Sequence, residues 1–394
     1  MIRKIVKRIL GERLIRKLYI LFFEKNQICK NVNQSNFDKS CLLLYVIAPF
    51  LQKKKKNIYA KRHQAYIQVL ELARIVGEFE YNVDVIQFDN FKAKINKNYD
   101  LVIDLNPGLN NLYINKLTIN AKKIAYFTGS ENIFAYNAEL SRLKDLKTRR
   151  GFELRVILNI PPVSKQVEEF DGVFFIGNEY NLQTFKDYKL PKTILLPNTG
   201  YPLNITFNES IKQRNCFISF LSQGNIHRGL DLLLDIFGQP DFSYELYICG
   251  PVEGESDFCR VYYHELYNCK NIHLIGFLDI TSKRFEELCS KCCYSLLPSC
   301  SEGQSGCVLT MMSAGIIPIV SKECGFDDSD VINLPDCSIE TIETYIRKYA
   351  EKDFSWCMEQ SKRETELVKT KYSIDSYRSA VYNGLNAILN KIEI

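Results

Sequence analysis

Short apolar runs alternate with helical segments along most of the chain. Residues 42–48 read LLLYVIA, residues 81–88 alternate apolar and polar positions, and residues 64–76 between them have helical periodicity. Runs of this length with helices between them are typical of buried parallel strands. The pattern continues with predicted strands over residues 100–105, 124–127 and 172–176. It predicts a doubly wound parallel sheet in the first part of the chain.

A second series begins near Cys216. Its predicted strands cover residues 217–221, 244–249, 272–275, 294–297 and 316–320, and its predicted helices cover residues 230–237, 284–292 and 306–314. The turn-rich segment LLPNTGYPLN, residues 195–204, marks the break between the series. We therefore predict an α/β protein with two Rossmann-like doubly wound domains facing a shared cleft. The predicted divisions are a leader (1–37), an N-terminal domain (38–204), a C-terminal domain (205–372) and a final helix (373–394) that could pack on the N-terminal domain.

The leader has the pattern of a basic amphipathic helix. Its first 23 residues place apolar side chains at helical spacing opposite a basic face, and residues 1–62 carry 16 Lys or Arg against three acids. Its longest apolar run, residues 18–23, is too short for a membrane span, and the sequence lacks a secretory cleavage pattern. We expect peripheral binding to an anionic membrane surface, on the inner face of the cell membrane. A helix packed on its own domain is the alternative.

Fourteen cysteines without an export signal indicate a reducing, cytoplasmic location and free thiols. Cys289 and Cys292 form one CxxC pair, but structural zinc sites normally need a second pair. These residues and Cys293 are therefore predicted to be small core side chains. The acidic run at residues 327–330 is interpreted as a loop, and no metal is expected.

A polar loop separates the predicted strand 294–297 from the predicted helix 306–314. Loop amides and the positive end of a helix favour a diphosphate at the carboxyl end of a strand. Glu302 lies in this loop, where a carboxylate accepts hydrogen bonds from sugar hydroxyls, and Gly303 allows close backbone approach. The loop thus combines a place for a diphosphate with a place for a sugar.

Residues 298–325, PSCSEGQSGCVLTMMSAGIIPIVSKECG, resemble the C-terminal signature of the retaining, group 1 (family 4 type) glycosyltransferases with the GT-B fold. The matching positions are Pro298, Ser299, Glu302, Gly303, Met312, Gly315 and Gly325. The resemblance implies that Glu302 contacts the donor sugar. Thr310 stands where the family has a second glutamate that bonds the nucleotide ribose, so a neutral hydroxyl would make that contact here.

Residues 217–237, FISFLSQGNIHRGLDLLLDIF, are similar to the family's first C-terminal strand, glycine turn, basic residue and helix. Gly224 matches the turn, and Arg228 takes the place of the phosphate-binding lysine. An arginine binds a diphosphate through two parallel hydrogen bonds as well as by charge. The resemblance implies that Glu302 and Arg228 are catalytic. The implied donor-binding residues are Ser222, Gly224, Gly250, Pro251, Gly303, Gln304, Ser305, Gly306 and Thr310.

The N-terminal domain is predicted to face the acceptor. Residues 128–155 look like a segment of bacterial group 1 transferases that act in surface polysaccharide synthesis, although a solvated helix face explains the same charges. His63 and the four lysines at 53–56 follow the first predicted strand, near the cleft entrance. The predicted acceptor-side residues are His63, Thr128, Gly129, Glu139, Arg142, Arg149 and Arg150.

The resemblance implies transfer of a sugar from a nucleotide-sugar donor to a saccharide or lipid-linked saccharide acceptor, with retention, in surface polysaccharide or glycolipid synthesis. It implies no cofactor and no required metal. Two alternatives stay open. One is a donor-binding partner subunit without catalysis, suggested by Thr310 and by Asn225 at a position that is often arginine; the other is a sugar-nucleotide epimerase. Nucleic-acid binding is not expected, because the leader lacks interleaved stacking aromatics and residues 63–394 carry more acids than bases.

Overall fold

The computed structural model describes residues 27–51, 63–90, 95, 97–105, 107, 120–158, 160–201, 203, 205 and 208–390. The basic helix predicted over residues 1–23 and the four lysines at 53–56 lie outside these residues. Within the described ranges, every helix is too short or too polar to cross a membrane.

Seven strands form the sheet of the N-terminal domain, in the spatial order β1-β3-β2-β4-β5-β6-β7. They are β1 (Ile28–Cys29), β2 (Lys39–Tyr45), β3 (Tyr81–Gln87), β4 (Leu101–Leu105), β5 (Lys122–Phe127), β6 (Gly172–Ile176) and β7 (Thr193–Leu196). β1 pairs with β3 in the antiparallel sense, and the other pairs are parallel. All five residues of β4 are buried, as expected for a parallel strand covered on both faces.

The described helices of this part of the chain are α1 (Ala48–Leu51), α2 (Gln64–Glu78), α3 (Asn132–Arg150) and α4 (Glu179–Leu182). α2 buries Val69, Leu72 and Val76 in the core of the N-terminal domain, which is the apolar stripe that its periodicity predicts. α3 is followed by Gly151, whose φ of 75° lies in the left-handed region that glycine favours at helix ends.

Six parallel strands form the sheet of the C-terminal domain, in the order β10-β9-β8-β11-β12-β13. They are β8 (Gln213–Phe220), β9 (Glu245–Cys249), β10 (Ile272–Gly276), β11 (Cys292–Leu297), β12 (Ile317–Ser321) and β13 (Ile332–Leu334). The chain moves outward from β8 to β10 and then returns to the other side of β8 at β11. Open α/β sheets bind ligands outside the carboxyl ends of their strands at such a switch point.

The helices that follow β8 are α5 (Leu230–Phe237), α6 (Ser256–Val261), α7 (Tyr263–Asn268), α8 (Lys283–Lys291), α9 (Gly306–Ser313), α10 (Ile339–Ala350), α11 (Phe354–Lys369) and α12 (Ile374–Leu389). α12 returns to the N-terminal domain, where the Tyr377 hydroxyl lies 3.0 Å from the Tyr126 hydroxyl. Ile388 occupies the space above Gly172, where a Cβ would come within 2.4 Å of its side chain.

α3 makes the opposite crossing. The chain enters α3 from β5 of the N-terminal sheet, yet Leu143 and Leu146 are buried in the hydrophobic core of the C-terminal domain together with Leu230 and Phe237. Each domain therefore contributes one helix to the core of the other.

The two-sheet α/β architecture predicted from the apolar runs is confirmed, and each predicted strand overlaps an observed one. The runs do not predict β1, β7 and β13, which are only two, four and three residues long. The predicted helix 284–292 extends one residue too far, because Cys292 begins β11. All fourteen cysteines are free thiols, and Cys289, Cys292 and Cys293 are buried as predicted.

Candidate active site

Arg228 and Glu302 meet at the switch point of the C-terminal sheet. Arg228 lies in the loop after β8 and Glu302 in the loop after β11, and the guanidinium Nη1 pairs with the carboxylate Oε1. The two side chains are only 15% and 12% exposed. Burial lowers the pKa of the Arg228 guanidinium, and a nearby anion offsets the cost of burying the charge. The two predicted catalytic residues are therefore in contact.

A glycine turn sets the position of Arg228. Gly224 has a φ of 93°, a conformation that costs a glycine little, and its carbonyl accepts a hydrogen bond from the Arg228 amide at 2.8 Å. Gly229 ends the loop with a φ of 75°, and a Cβ there would come within 2.3 Å of the Pro298 carbonyl oxygen. The loops after β8 and β11 thus touch through their backbones.

A carboxylate that no sequence motif identifies as a site residue binds the same turn. The Gly224 amide donates to Glu255 Oε1 at 2.8 Å, and the Asn225 amide faces Oε1 at 3.1 Å and Oε2 at 3.2 Å. Successive amides that converge on one anion form a nest. Glu255 precedes α6 as an ordinary acidic residue before a helix, so only the fold reveals its contact with the turn.

The N-terminal domain closes over the loop that carries Glu302. The Glu302 carbonyl accepts hydrogen bonds from the Ser130 amide at 2.9 Å, the Ser130 hydroxyl at 2.6 Å and Asn181 Nδ2 at 3.2 Å. These three bonds fix the backbone of the loop, while the Glu302 carboxylate faces Arg228.

Gly303 packs on two of the predicted acceptor-side residues. A Cβ at Gly303 would come within 2.4 Å of the Thr128 carbonyl oxygen and 2.8 Å of the Gly129 Cα. This backbone contact requires glycine at residue 303. The predicted donor loop and the TGS segment of the N-terminal domain therefore adjoin.

The beginning of α9 contacts the beginning of α2. Gln64 Nε2 donates to the Gly306 carbonyl at 3.1 Å, and a Cβ at Gly306 would overlap the Gln64 side chain. His63 lies directly before Gln64, with its ring 4.9 Å from that of Tyr66, and partial burial lowers its pKa. Thr310 donates its hydroxyl to the Gly306 carbonyl at 2.8 Å, so its oxygen can still accept a hydrogen bond.

Gln304 connects the two domains. Its side-chain oxygen accepts from the Asn198 amide at 2.6 Å, and its Nε2 donates to the Gly325 carbonyl at 3.2 Å. Asn198 also accepts from Gln68 of α2 at 2.8 Å. Ser305 is the buried N-cap residue of α9. Both polar groups of the Gln304 side chain therefore bond within the protein. Asn198 links α2 to the loop that carries Gln304, a role that its turn-rich sequence does not predict.

Ser222, Gly250 and Pro251 lie at the carboxyl ends of β8 and β9. Ser222 is exposed, and its backbone contacts the Cys307 thiol in the first turn of α9. A Cβ at Gly250 would come within 2.5 Å of the carbonyl oxygen of the residue before Ser222. The predicted donor residues of these strands thus share one edge with the glycine turn.

The predicted acceptor face of α3 instead contacts the C-terminal domain. Glu139 is fully buried, accepts from the amides of residues 157 and 158 at 2.7 and 3.1 Å, and lies 3.5 Å from His227 Nδ1. Burial raises the pKa of Glu139, but His227 and the two amides outweigh this effect and lower it. Arg142 donates to the Pro298 carbonyl at 3.2 Å.

The two arginines at the end of α3 continue this interface. Arg149 pairs with Asp231, with an Nη2 to Oδ2 distance of 2.5 Å, and with Asp235. Arg150 donates to Asp235 at 2.7 Å and pairs with Glu265 at 2.8 Å. The prediction that these charges face an acceptor, and the alternative of a solvated helix face, are both corrected: acids of α5 and α7 match the basic end of α3.

A cleft of about 520 Å³ lies between the domains next to this interface. Its lining includes Phe134 and Arg142 of α3, Tyr180 of α4, and Ser299 and Lys322 from the C-terminal domain. In the part of the chain that the structure describes, His, Cys, Asp and Glu side chains do not gather in threes as a metal site would require.

The overall architecture is shared with solved glycosyltransferase structures. No family model and no curated protein matches the sequence. Sucrose-phosphate synthase from Thermosynechococcus elongatus superposes with a TM-score of 0.61 at 13% identity, over 90% of this chain and 98% of that protein. Anabaena HepE in complex with UDP and glucose gives 0.54 at 11% identity, over 91% and 100%. WaaG, a glycosyltransferase involved in lipopolysaccharide biosynthesis, gives 0.51 at 15% identity, over 88% and 99%.

These similarities and the two largely parallel sheets establish the GT-B fold, as the motif resemblance implies. At such low sequence identity they define the architecture and leave the activity to the chemistry of the site.

Proposed function

We propose that the protein is a glycosyltransferase that takes its sugar from a nucleotide-sugar donor and passes it to a saccharide or lipid-linked saccharide. The observation that carries this proposal is the convergence of Arg228, the Gly224 turn, Glu302 and the start of α9 at the switch point of the C-terminal sheet. The GT-B architecture shared with WaaG and with HepE bound to UDP and glucose supports this class of donor.

Arg228 supplies the charge that the donor diphosphate needs. Its guanidinium presents N–H groups in a planar fork that matches two phosphate oxygens. Cleavage of the anomeric bond builds negative charge on the leaving diphosphate, and a fixed, largely buried cation stabilises that charge more in the transition state than in the ground state. When Arg228 turns to the diphosphate, the Glu302 carboxylate becomes free to accept hydrogen bonds from the sugar.

The acceptor would approach from the N-terminal domain, where Thr128 and Gly129 adjoin the donor loop. His63 directly precedes Gln64, which bonds to the start of α9. We propose retention of the anomeric configuration, because the leaving diphosphate can take the acceptor's proton on the same face without a dedicated base. Synthesis of a surface polysaccharide or glycolipid fits a lipid-linked acceptor. In this proposal, residues 1–23 hold the enzyme at the inner leaflet.

A screen of UDP-, GDP- and ADP-sugars with the full-length protein tests this function. Binding is measured by calorimetry, and transfer by chromatography of the released nucleotide with saccharide acceptors present. We expect one donor class to bind, binding to weaken in Arg228→Ala, and the product NMR spectrum to show retention. If no donor binds or reacts, the proposal is wrong. Binding without turnover would favour a partner subunit, and an altered donor sugar would favour an epimerase.

A further inference from the structure

Two anion-binding groups of the proposed donor site bond to carboxylates of the chain itself. Arg228 pairs with Glu302, and the amides of Gly224 and Asn225 converge on Glu255. A diphosphate bound at this edge of the sheet would need the same N–H groups. The donor must therefore compete with two internal anions.

Glu255 occupies the nest much as a phosphate group would. Its two oxygens accept from two successive amides of the turn at 2.8 to 3.2 Å, the arrangement in which backbone nests bind phosphate oxygens. Burial raises the pKa of the Glu255 carboxyl, the two amides oppose this effect, and the charge of Glu139 adds to it. Because the net shift of the Glu255 pKa is upward, the hydrogen bonds from the turn do not fully offset the cost of burying the carboxylate charge.

The structure also provides a place for Glu255 to go. A cavity of about 360 Å³ adjoins the turn and is lined by Arg155, Ile226, Gly254, Glu255 and Asp257, among others. The space around Gly254 is open, since a Cβ there would meet no atom within 4 Å. The backbone of Glu255 lies between a short 3-10 turn and α6, with φ and ψ of −112° and 78°, outside regular structure.

We propose that Glu255 is an internal competitor of the donor: its carboxylate holds the turn of Gly224 and Asn225 until the donor diphosphate displaces it into the adjoining cavity, toward Arg155. This inference rests on the proposed function, because it takes the turn as part of the diphosphate site. A competitor and a supporting residue predict opposite effects on nucleotide binding when the Glu255 charge is removed. Loss of its charge strengthens nucleotide binding, whereas loss of a support would weaken it.

The experiment is a calorimetric titration of UDP, GDP and inorganic pyrophosphate into the full-length protein. Glu255→Gln keeps the size of the side chain and removes its charge. Asp257→Asn removes the same charge from another residue that lines the cavity, one whose carboxylate pairs with Arg260. We expect Glu255→Gln to lower the Kd of the bound probe about tenfold, which corresponds to the net free energy of one hydrogen bond to a charged group. Asp257→Asn should leave the Kd unchanged.

The outcomes separate this inference from the function on which it rests. If the wild type binds a probe, Arg228→Ala loses it, and Glu255→Gln binds no more tightly, the competitor role is wrong and the donor site remains. If neither the wild type nor Glu255→Gln binds any probe, both proposals fail. Melting curves verify the fold of each variant, and Glu255→Ala is the second charge-free variant if Glu255→Gln proves unstable.

Discussion

The guanidinium of Arg228 and the carboxylate of Glu302 form the ion pair that joins the loops after β8 and β11. Each group neutralises the other in a largely buried position, where an unpaired charge would be costly. In the proposed reaction these groups contact different parts of the donor, Arg228 the diphosphate and Glu302 the sugar. Donor binding therefore exchanges one internal contact for two contacts with substrate.

Glu302→Gln should lower kcat by at least about 100-fold, the usual effect of removing one electrostatic contact made in the transition state. The amide retains the shape of the side chain but cannot pair with Arg228 or place a negative charge at the sugar. Transfer rates and nucleotide affinity are measured together. Glu323→Gln is the control, since Glu323 follows β12 and accepts a hydrogen bond from Tyr180 of α4, and it should retain activity. Full activity of Glu302→Gln would contradict the assigned role.

Gly303→Ala should impair both stability and transfer. The new methyl group would meet the Thr128 carbonyl oxygen at 2.4 Å, and backbone atoms cannot move aside as a flexible side chain does. Overpacking of this kind costs about 1–3 kcal/mol. Urea unfolding and transfer assays measure the two effects.

Gly129→Ala is the matched control for this contact, because its added methyl group would find its nearest neighbour, the Gly303 amide nitrogen, at 3.7 Å. It should keep the wild-type free energy of unfolding. Equal stability of the two variants would show that the domains do not close at Gly303 as described.

Asp231→Ala should lower the free energy of unfolding by about 2 kcal/mol, because it removes the fully buried one of the two carboxylates that pair with Arg149. Asp145→Ala removes an exposed acid of α3 and should change stability by less than about 0.5 kcal/mol. Urea unfolding measures both. A loss in Asp231→Ala no larger than that in Asp145→Ala would mean that α3 is not held to α5 by this pair.

Glu139→Gln should alter how stability depends on pH. The folded protein lowers the pKa of Glu139 from its ordinary value of 4.5, so the ionised carboxylate stabilises the fold at higher pH. This contribution is lost as the pH falls through the lowered pKa. The difference in unfolding free energy between wild type and Glu139→Gln should be largest above pH 4.5 and shrink on acidification. A difference that stays constant with pH would contradict the assigned partners.

The local motifs made much of the site predictable. Gly224, Arg228 and Glu302 each belong to a short loop directly after a strand, and the carboxyl ends of parallel strands lie at one edge of a sheet. Their proximity therefore follows once the two strands are recognised. Gly303 is predicted to permit close approach, and the structure places it against the Thr128 backbone. Gly306 packs against the Gln64 side chain in the same way.

Contacts between the domains were not predictable in this way. The buried residues of α3 are Glu139, Arg142, Leu143 and Leu146, so half of its buried face is charged, and a search for an apolar stripe does not find it. Its partners in the C-terminal domain lie about 80 residues or more along the chain. The same holds for Glu255, whose contact with the glycine turn depends on how the loops after β8 and β9 fold together.

The exchange of α3 and α12 limits how this chain can be divided or recombined. A cut near residue 204 would leave the C-terminal fragment without Leu143 and Leu146 in its core and the N-terminal fragment without Tyr377, Val381 and Leu385 in its own. Neither fragment would carry a complete interior. A chimera that takes the proposed donor-binding part from a relative must therefore bring a compatible α3 with it. Under the proposed function, new donor specificity is more readily obtained by point substitutions in the loops than by exchange of whole domains.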